Sequence, residues 1–391
     1  MKAVLSNARQ PAYGAASIPF PIRKKQYDST IGMLAGLDIG DAVKRDCKVE
    51  EISGEYPILR HLEGTSVNVD ELDYLAKRMD SFDKNELAKF SAMAVSQDIR
   101  DIKNMINLTF CFQDFPLVRD FTDLEKVGRS CHMDRNGGVL PPESEQMDFR
   151  QVALDLLRGE QGQITPYGVI YDEGFQMEQL YDGRHFPQYR YEDGTMEVEV
   201  IPDRLPHENK PSTFLSLPLT ELQLERALLR GECLEGDIEV RLLDSRLPEE
   251  ADAAIDFERD DITELNRLCH ILSPLKQDDM EKLGAVVWLA KPTSAAEMGN
   301  LARRLDLFDF VPGIRTATDY GRHMIMHSGH FEYDENLSDF YDFEKYGRQR
   351  MEEEYGQFND RGYVSYHGVV SMEELLAGVP CERMDMTMEM G

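Results

Sequence analysis

The chain has 391 residues, of which 41% are hydrophobic, enough apolar content to bury more than one core. Its 73 acidic and 43 basic residues give a formal net charge of -30. That balance argues against direct binding to nucleic acid or to an anionic membrane, because the long-range field repels both.

The first residues, MKAVLSNARQPAYGAASIPFP, lack the apolar stretch of a secretion signal. No window approaches the roughly 18 uninterrupted apolar residues of a membrane span. Six cysteines, at 47, 111, 131, 233, 269 and 381, form no CxxC pair and read as reduced thiols of a cytoplasmic protein.

In chain order, the sequence reads as an internal duplication. Phe20-Pro21-Ile22 resembles Leu217-Pro218-Leu219. The block VDELDYLAKRMDSFDKNELAKFSAMA, from Val69, lies without a gap on ITELNRLCHILSPLKQDDMEKLGAVV, from Ile262, at an offset of 193 residues. Leu72, Leu75 and Met79 meet Leu265, Leu268 and Leu272, and the register carries Met105, Asn107 and Leu108 onto Met298, Asn300 and Leu301. The shared apolar positions recur every three or four residues, which is helical period. Farther on, the run Asp123–Arg129 (DLEKVGR) matches Asp342–Arg348 (DFEKYGR), and Tyr167-Gly168-Val169-Ile170 matches His367-Gly368-Val369-Val370. This register places extra sequence in the second copy before its Gly-Arg element. A gapless alternative sets Gly128-Arg129 on Gly321-Arg322.

Met196, Val198 and Val200 alternate with Glu197 and Glu199, a half-buried strand. The proline-rich stretch from Pro202 to Pro211 reads as a linker, with repeats over 1–205 and 212–391 and the linker proper at 206–211. Thr220 and Gln223 have capping-box spacing for a helix reaching Arg230. Ile238, Val240 and Leu242 alternate with Glu239 and Arg241 in a second strand. The fold class is therefore α+β, with each copy built from a small sheet and a helical bundle.

Sequence signatures of catalysis are absent. There is no GxxxxGK[ST], GxGxxG, HExxH or GxSxG, and no cofactor is expected. His323, His327 and His330 could share a helix face, but a fourth zinc ligand has no evident source. Asp334, Asn336 and Ser338 have calcium-loop spacing, yet Asp339 and Lys345 stand where the loop needs Gly and Glu. Trp288, in VVWLA, reads as core.

The acids cluster in two stretches. The first holds Glu235, Asp237, Glu239, Asp244, Glu249, Glu250, Asp252, Asp256, Glu258, Asp260 and Asp261. The second holds Glu332, Asp334, Glu335, Asp339, Asp342, Glu344, Glu352, Glu353, Glu354 and Asp360. Self-repulsion on this scale destabilises the compact state, so it calls for a functional reason. Duplex DNA carries one charge per roughly 1.7 Å, so a net -30 matches about 50 Å of duplex. Apart from Glu235 and Asp360, these acids are the candidate partner-binding residues; no catalytic or metal-binding residue is assigned.

The series ITELNRL from Ile262, YDFEKYGR from Tyr341, His367-Gly368 and the opening LPL at Leu217 resembles the ArdA antirestriction family. The second copy covers most of the pattern, and the first carries it in VDELDYLAKRMDSFD and FTDLEKVGR. The resemblance implies an elongated, acidic α+β inhibitor that forms dimers and mimics B-form DNA. It implies binding in the DNA-binding cleft of a type I restriction-modification enzyme, without enzymatic activity of its own. Here two copies share one chain, so an internal pseudo-dimer and a homodimer are both open. The alternative is an acidic adaptor of a mobile element that binds another basic partner.

Overall fold

A computed structural model describes residues 1–202, 211–234, 238–329 and 332–379, excepting the side chains at 145, 337 and 339. Most of the expected linker, Asp237, His330 and Cys381 lie outside the described residues, as does the side chain of Asp339. The fold is α+β, with helices and several small antiparallel sheets. Contacts divide the chain into two units. One comprises Met1–Tyr191, Arg204–Phe214 and Thr220–Asp237; the other comprises Glu192–Asp203, Leu215–Leu219 and Ile238–Gly391.

The first copy opens with β1 (Lys2–Asn7), β2 (Ala15–Pro19), α1 (Tyr27–Ala35), β3 (Cys47–Ser53) and β4 (Ser66–Val67). Their sheet has the order β2-β1-β3-β4. Three helices follow: α2 (Val69–Asp80), α3 (Lys84–Ser96) and α4 (Ile102–Leu108). The copy continues with β5 (Leu117–Val118), the hairpin of α5 (Leu124–Arg135) and α6 (Phe149–Gly159), β6 (Gln163–Thr165) and β7 (Gly168–Ile170). The last three strands form a sheet in the order β5-β7-β6.

The second copy repeats this order. It begins with β8 (Met196–Pro202), β9 (Thr213–Leu217), α7 (Glu221–Arg230), β10 (Ile238–Ser245) and a short α8 (Glu249–Ala254). Because β8 pairs with β10, the boundary between the copies moves from 205 to before Met196. Helices α9 (Ile262–Leu272), α10 (Gln277–Ala290) and α11 (Ala295–Ala302) follow. Then come β11 (Phe308–Pro312), α12 (Ala317–Met326), α13 (Phe343–Glu354), β12 (Gln357–Phe358), β13 (Gly362–Tyr366) and α14 (Met372–Leu376). The sheets run β10-β8-β9 and β11-β13-β12; the second has the order of β5-β7-β6, and the first has that of β2-β1-β3 with no counterpart of β4.

The helical block follows the expected register. Helices α2, α3 and α4 start 193 residues before α9, α10 and α11. Asn68 caps α2 by accepting from Asp70 and Glu71, and Asp261 caps α9 in the same way. Leu72, Leu75 and Met79, like Leu265, Leu268 and Leu272, are buried. The strands read by alternation at Met196 and Ile238 and the capped helix after Thr220 are present as β8, β10 and α7. The two FPI-like segments also correspond. Both prolyl bonds are cis, and the next residue, Ile22 or Leu219, donates its backbone N–H to Asp73 or Asn266, 193 residues apart.

The register beyond the block requires correction. Gly128-Arg129 corresponds to Gly321-Arg322, not to Gly347-Arg348. A Cβ on Gly128 would lie 1.6 Å from the Phe149 carbonyl oxygen, and one on Gly321 would lie 2.0 Å from that of Phe343. Glycine at each position lets two helices cross in contact. Gly168 likewise corresponds to Gly362, not to Gly368. Both have positive φ, +139° and +154°, and both abut a β-strand carbonyl, of Val118 or Val311. No large insertion precedes the second Gly-Arg; the offset grows only from 193 to 194 between the hairpin helices.

Candidate acidic interface

The buried charges fix how much charge is left for the surface. In the first unit α7 sends two arginines inward. Arg226 donates to Asp70 (2.7 Å), the Gly40 carbonyl (2.6 Å) and the Tyr27 hydroxyl (3.0 Å). Arg230 donates to the Ala42 carbonyl (2.7 Å) and to Asn68. Arg45 grips Glu71 through Nε and Nη2, and Tyr181 donates to the same carboxylate at 2.8 Å. Lys89 is buried against Asp134 at 2.6 Å. Among the described residues, the buried charged side chains are four acids (Glu71, Asp73, Asp172, Asp260) and three bases (Lys89, Arg226, Arg230). These nearly cancel. The negative surplus therefore rests on side chains that reach solvent.

The nominated acids of the second unit fall into three roles. Asp260 is not a surface group: it is 3% exposed and accepts from the backbone N–H groups of Ala295 (3.0 Å) and Asp256 (3.2 Å). This corrects its place among the partner-binding candidates, since both oxygens are committed inside the fold. Glu250 is held by Arg361 through bonds of 2.8 to 3.0 Å, and those bonds keep its carboxyl below the usual carboxylate range. Glu354 accepts from Tyr320 (2.6 Å) and Tyr363 (2.7 Å) and pairs with Arg350. Asp252 accepts from Ser245 at 2.7 Å, and partial burial raises its pKa.

A second group serves local geometry while remaining exposed or partly so. Asp261, Asp334 and Asp342 cap helical turns through backbone N–H groups. Asp244 accepts from the Ser245 N–H, and Asp256 from that of Glu258. Glu239, Glu344 and Glu353 pair with Arg241, Arg348 and Arg350. The third group, Glu249, Glu258, Glu332, Glu335 and Glu352, is exposed.

The fold also adds an acid that linear density misses. Glu281, on α10, is exposed, and with Glu249 and Glu250 it raises the pKa of Arg361, led by the Glu250 hydrogen bonds. One guanidinium thus bonds Glu250 of α8 and feels the field of Glu249 and of Glu281 on α10. Glu281 lies within the repeated helical block, where the eye follows apolar period rather than charge.

His323 and His327 lie on and just after α12 with ring centroids 5.8 Å apart, and burial lowers the pKa of His323. Among the described residues, no three metal-ligating side chains converge. Trp288 is 38% exposed, which corrects its reading as core: Val286 and Val287 fill the buried face of α10 and the indole falls off it. The five described cysteines are free thiols. Among the described residues, no helix is long and apolar enough to cross a membrane. The chain matches no family model and no curated protein.

Proposed function

We propose that this protein is a DNA-mimic inhibitor that occupies the DNA-binding cleft of a type I restriction-modification enzyme. One observation carries the reading: buried charges cancel almost fully, so the surplus of a chain with net charge -30 is displayed to solvent. A cationic cleft evolved for phosphates gains the same salt-sensitive attraction to such a surface. The sequence resemblance to the ArdA family points to the same target. No group in the chain needs to perform chemistry under this reading, because exclusion of DNA is the whole activity.

The test is inhibition of a purified type I enzyme on duplex substrate. Wild-type protein is expected to block cleavage and to be displaced by added duplex. The variant carrying Glu249→Gln, Glu258→Gln, Glu281→Gln and Glu352→Gln is expected to inhibit at least tenfold less well, with an unchanged melting temperature. Undiminished inhibition by that variant would remove these acids from the interface. Recovery of a different basic partner, with no effect on restriction, would favour the adaptor reading.

A further inference from the structure

The duplication offers an internal comparison, since the same fold is present twice under the same chemical constraints. Along α5 and α12 three aligned positions are identical: Gly128 and Gly321, Arg129 and Arg322, Met133 and Met326. Helix crossing explains the glycines. The methionines are partly buried apolar side chains. The arginines share a cation–π contact across the crossing, which uses the face of a ring and none of their N–H donors.

Both arginines are exposed. Each lies over the first aromatic residue of the facing helix, Arg129 at 5.9 Å from the Phe149 ring centre and Arg322 at 5.3 Å from that of Phe343. Neither side chain makes an ion pair or hydrogen bond among the described residues, a state shared by exposed Arg23, Arg60, Arg150, Arg158 and Arg267; what sets Arg129 and Arg322 apart is that the same residue meets the same kind of ring in both copies. A guanidinium that meets a ring but makes no hydrogen bond keeps its N–H donors for another group. An exposed positive charge also weakens attraction to a cationic cleft, and here it recurs at one position of both copies.

We infer that Arg129 and Arg322 are recognition residues, each taking a carboxylate of the bound protein on its free N–H edge. This rests on the inhibitor reading and adds to it. The acids supply long-range pull, and the two arginines set orientation through directional, charge-assisted bonds. Simple charge mimicry and this inference make opposite forecasts for the same substitution. Removing a cation from a mimic of DNA should tighten binding; removing a recognition arginine should loosen it.

The experiment measures binding of the full chain to a purified type I restriction enzyme at several salt concentrations. The proteins are wild type, Arg129→Gln, Arg322→Gln, the double variant, and Arg129→Lys with Arg322→Lys. Each single glutamine variant is expected to bind about tenfold more weakly, the double variant weaker still, with the salt slope and melting temperature nearly unchanged. The lysine variant keeps the charge, loses the planar fork and is also expected to bind more weakly. Glutamine variants that bind as well as wild type, or more tightly, would overturn the inference and leave the inhibitor reading standing. A wild type that shows no salt-sensitive binding would overturn both.

Discussion

Three neighbouring acids respond differently to mutation because their surroundings differ. Glu250 ionises below its usual range while bonded to Arg361. Its stabilising contribution is complete above the free glutamate pKa of about 4.3 and is lost as pH falls through the lower folded value. Glu250→Gln is expected to cost about 0.5–2 kcal/mol at pH 7 and less near pH 3, read by urea unfolding at the two pH values. Asp252 has the opposite sign: burial raises its pKa, so ionisation at neutral pH opposes folding. Asp252→Asn is expected to be neutral or slightly stabilising at pH 7, and a loss above about 1 kcal/mol would contradict this assignment. Asp260→Ala leaves two backbone N–H groups unsatisfied and is expected to cost about 2–3 kcal/mol, with binding retained where the fold is intact.

At the scale of elements, the helix crossings are the most sensitive points. A Cβ on Gly347 would sit 1.8 Å from the Ala317 carbonyl oxygen, and one on Gly321 only 2.0 Å from that of Phe343. Gly347→Ala is expected to push α13 off α12 and lower stability by about 1–3 kcal/mol, measured by thermal unfolding. A variant as stable as wild type would mean that the crossing is looser than described. These crossings also explain which part of the duplication was legible in the sequence. Over Val69–Ala94 and Ile262–Val287 the shared feature is a buried apolar stripe, which survives as a visible period. Farther on, DLEKVGR and DFEKYGR look alike because α5 and α13 have the same local needs. Each starts on a capping aspartate, Asp123 or Asp342, and each places a glycine where another helix crosses. The likeness records a shared local solution in non-equivalent helices. The order of strands and the shared contacts of Gly128 with Phe149 and of Gly321 with Phe343 identify the true partners.

At the scale of the whole molecule, composition discloses the amount of charge and the fold discloses where it goes. The acid-rich stretches are plain in the sequence, but the retirement of Asp260 into the interior and the influence of Glu281 on Arg361 depend on tertiary contacts. The near-cancellation of buried charge is likewise invisible in the sequence, because only tertiary contacts show that Arg226 and Arg230 turn inward from α7. The central claim is electrostatic substitution for DNA, and it is tested most directly by the affinity of the unmodified protein for a type I restriction enzyme as salt is raised. The account expects log affinity to fall steeply and linearly with log salt, by at least about tenfold between 50 and 200 mM, with duplex DNA and the protein excluding one another. Affinity that stays flat across that range, or simultaneous binding of both, would contradict it.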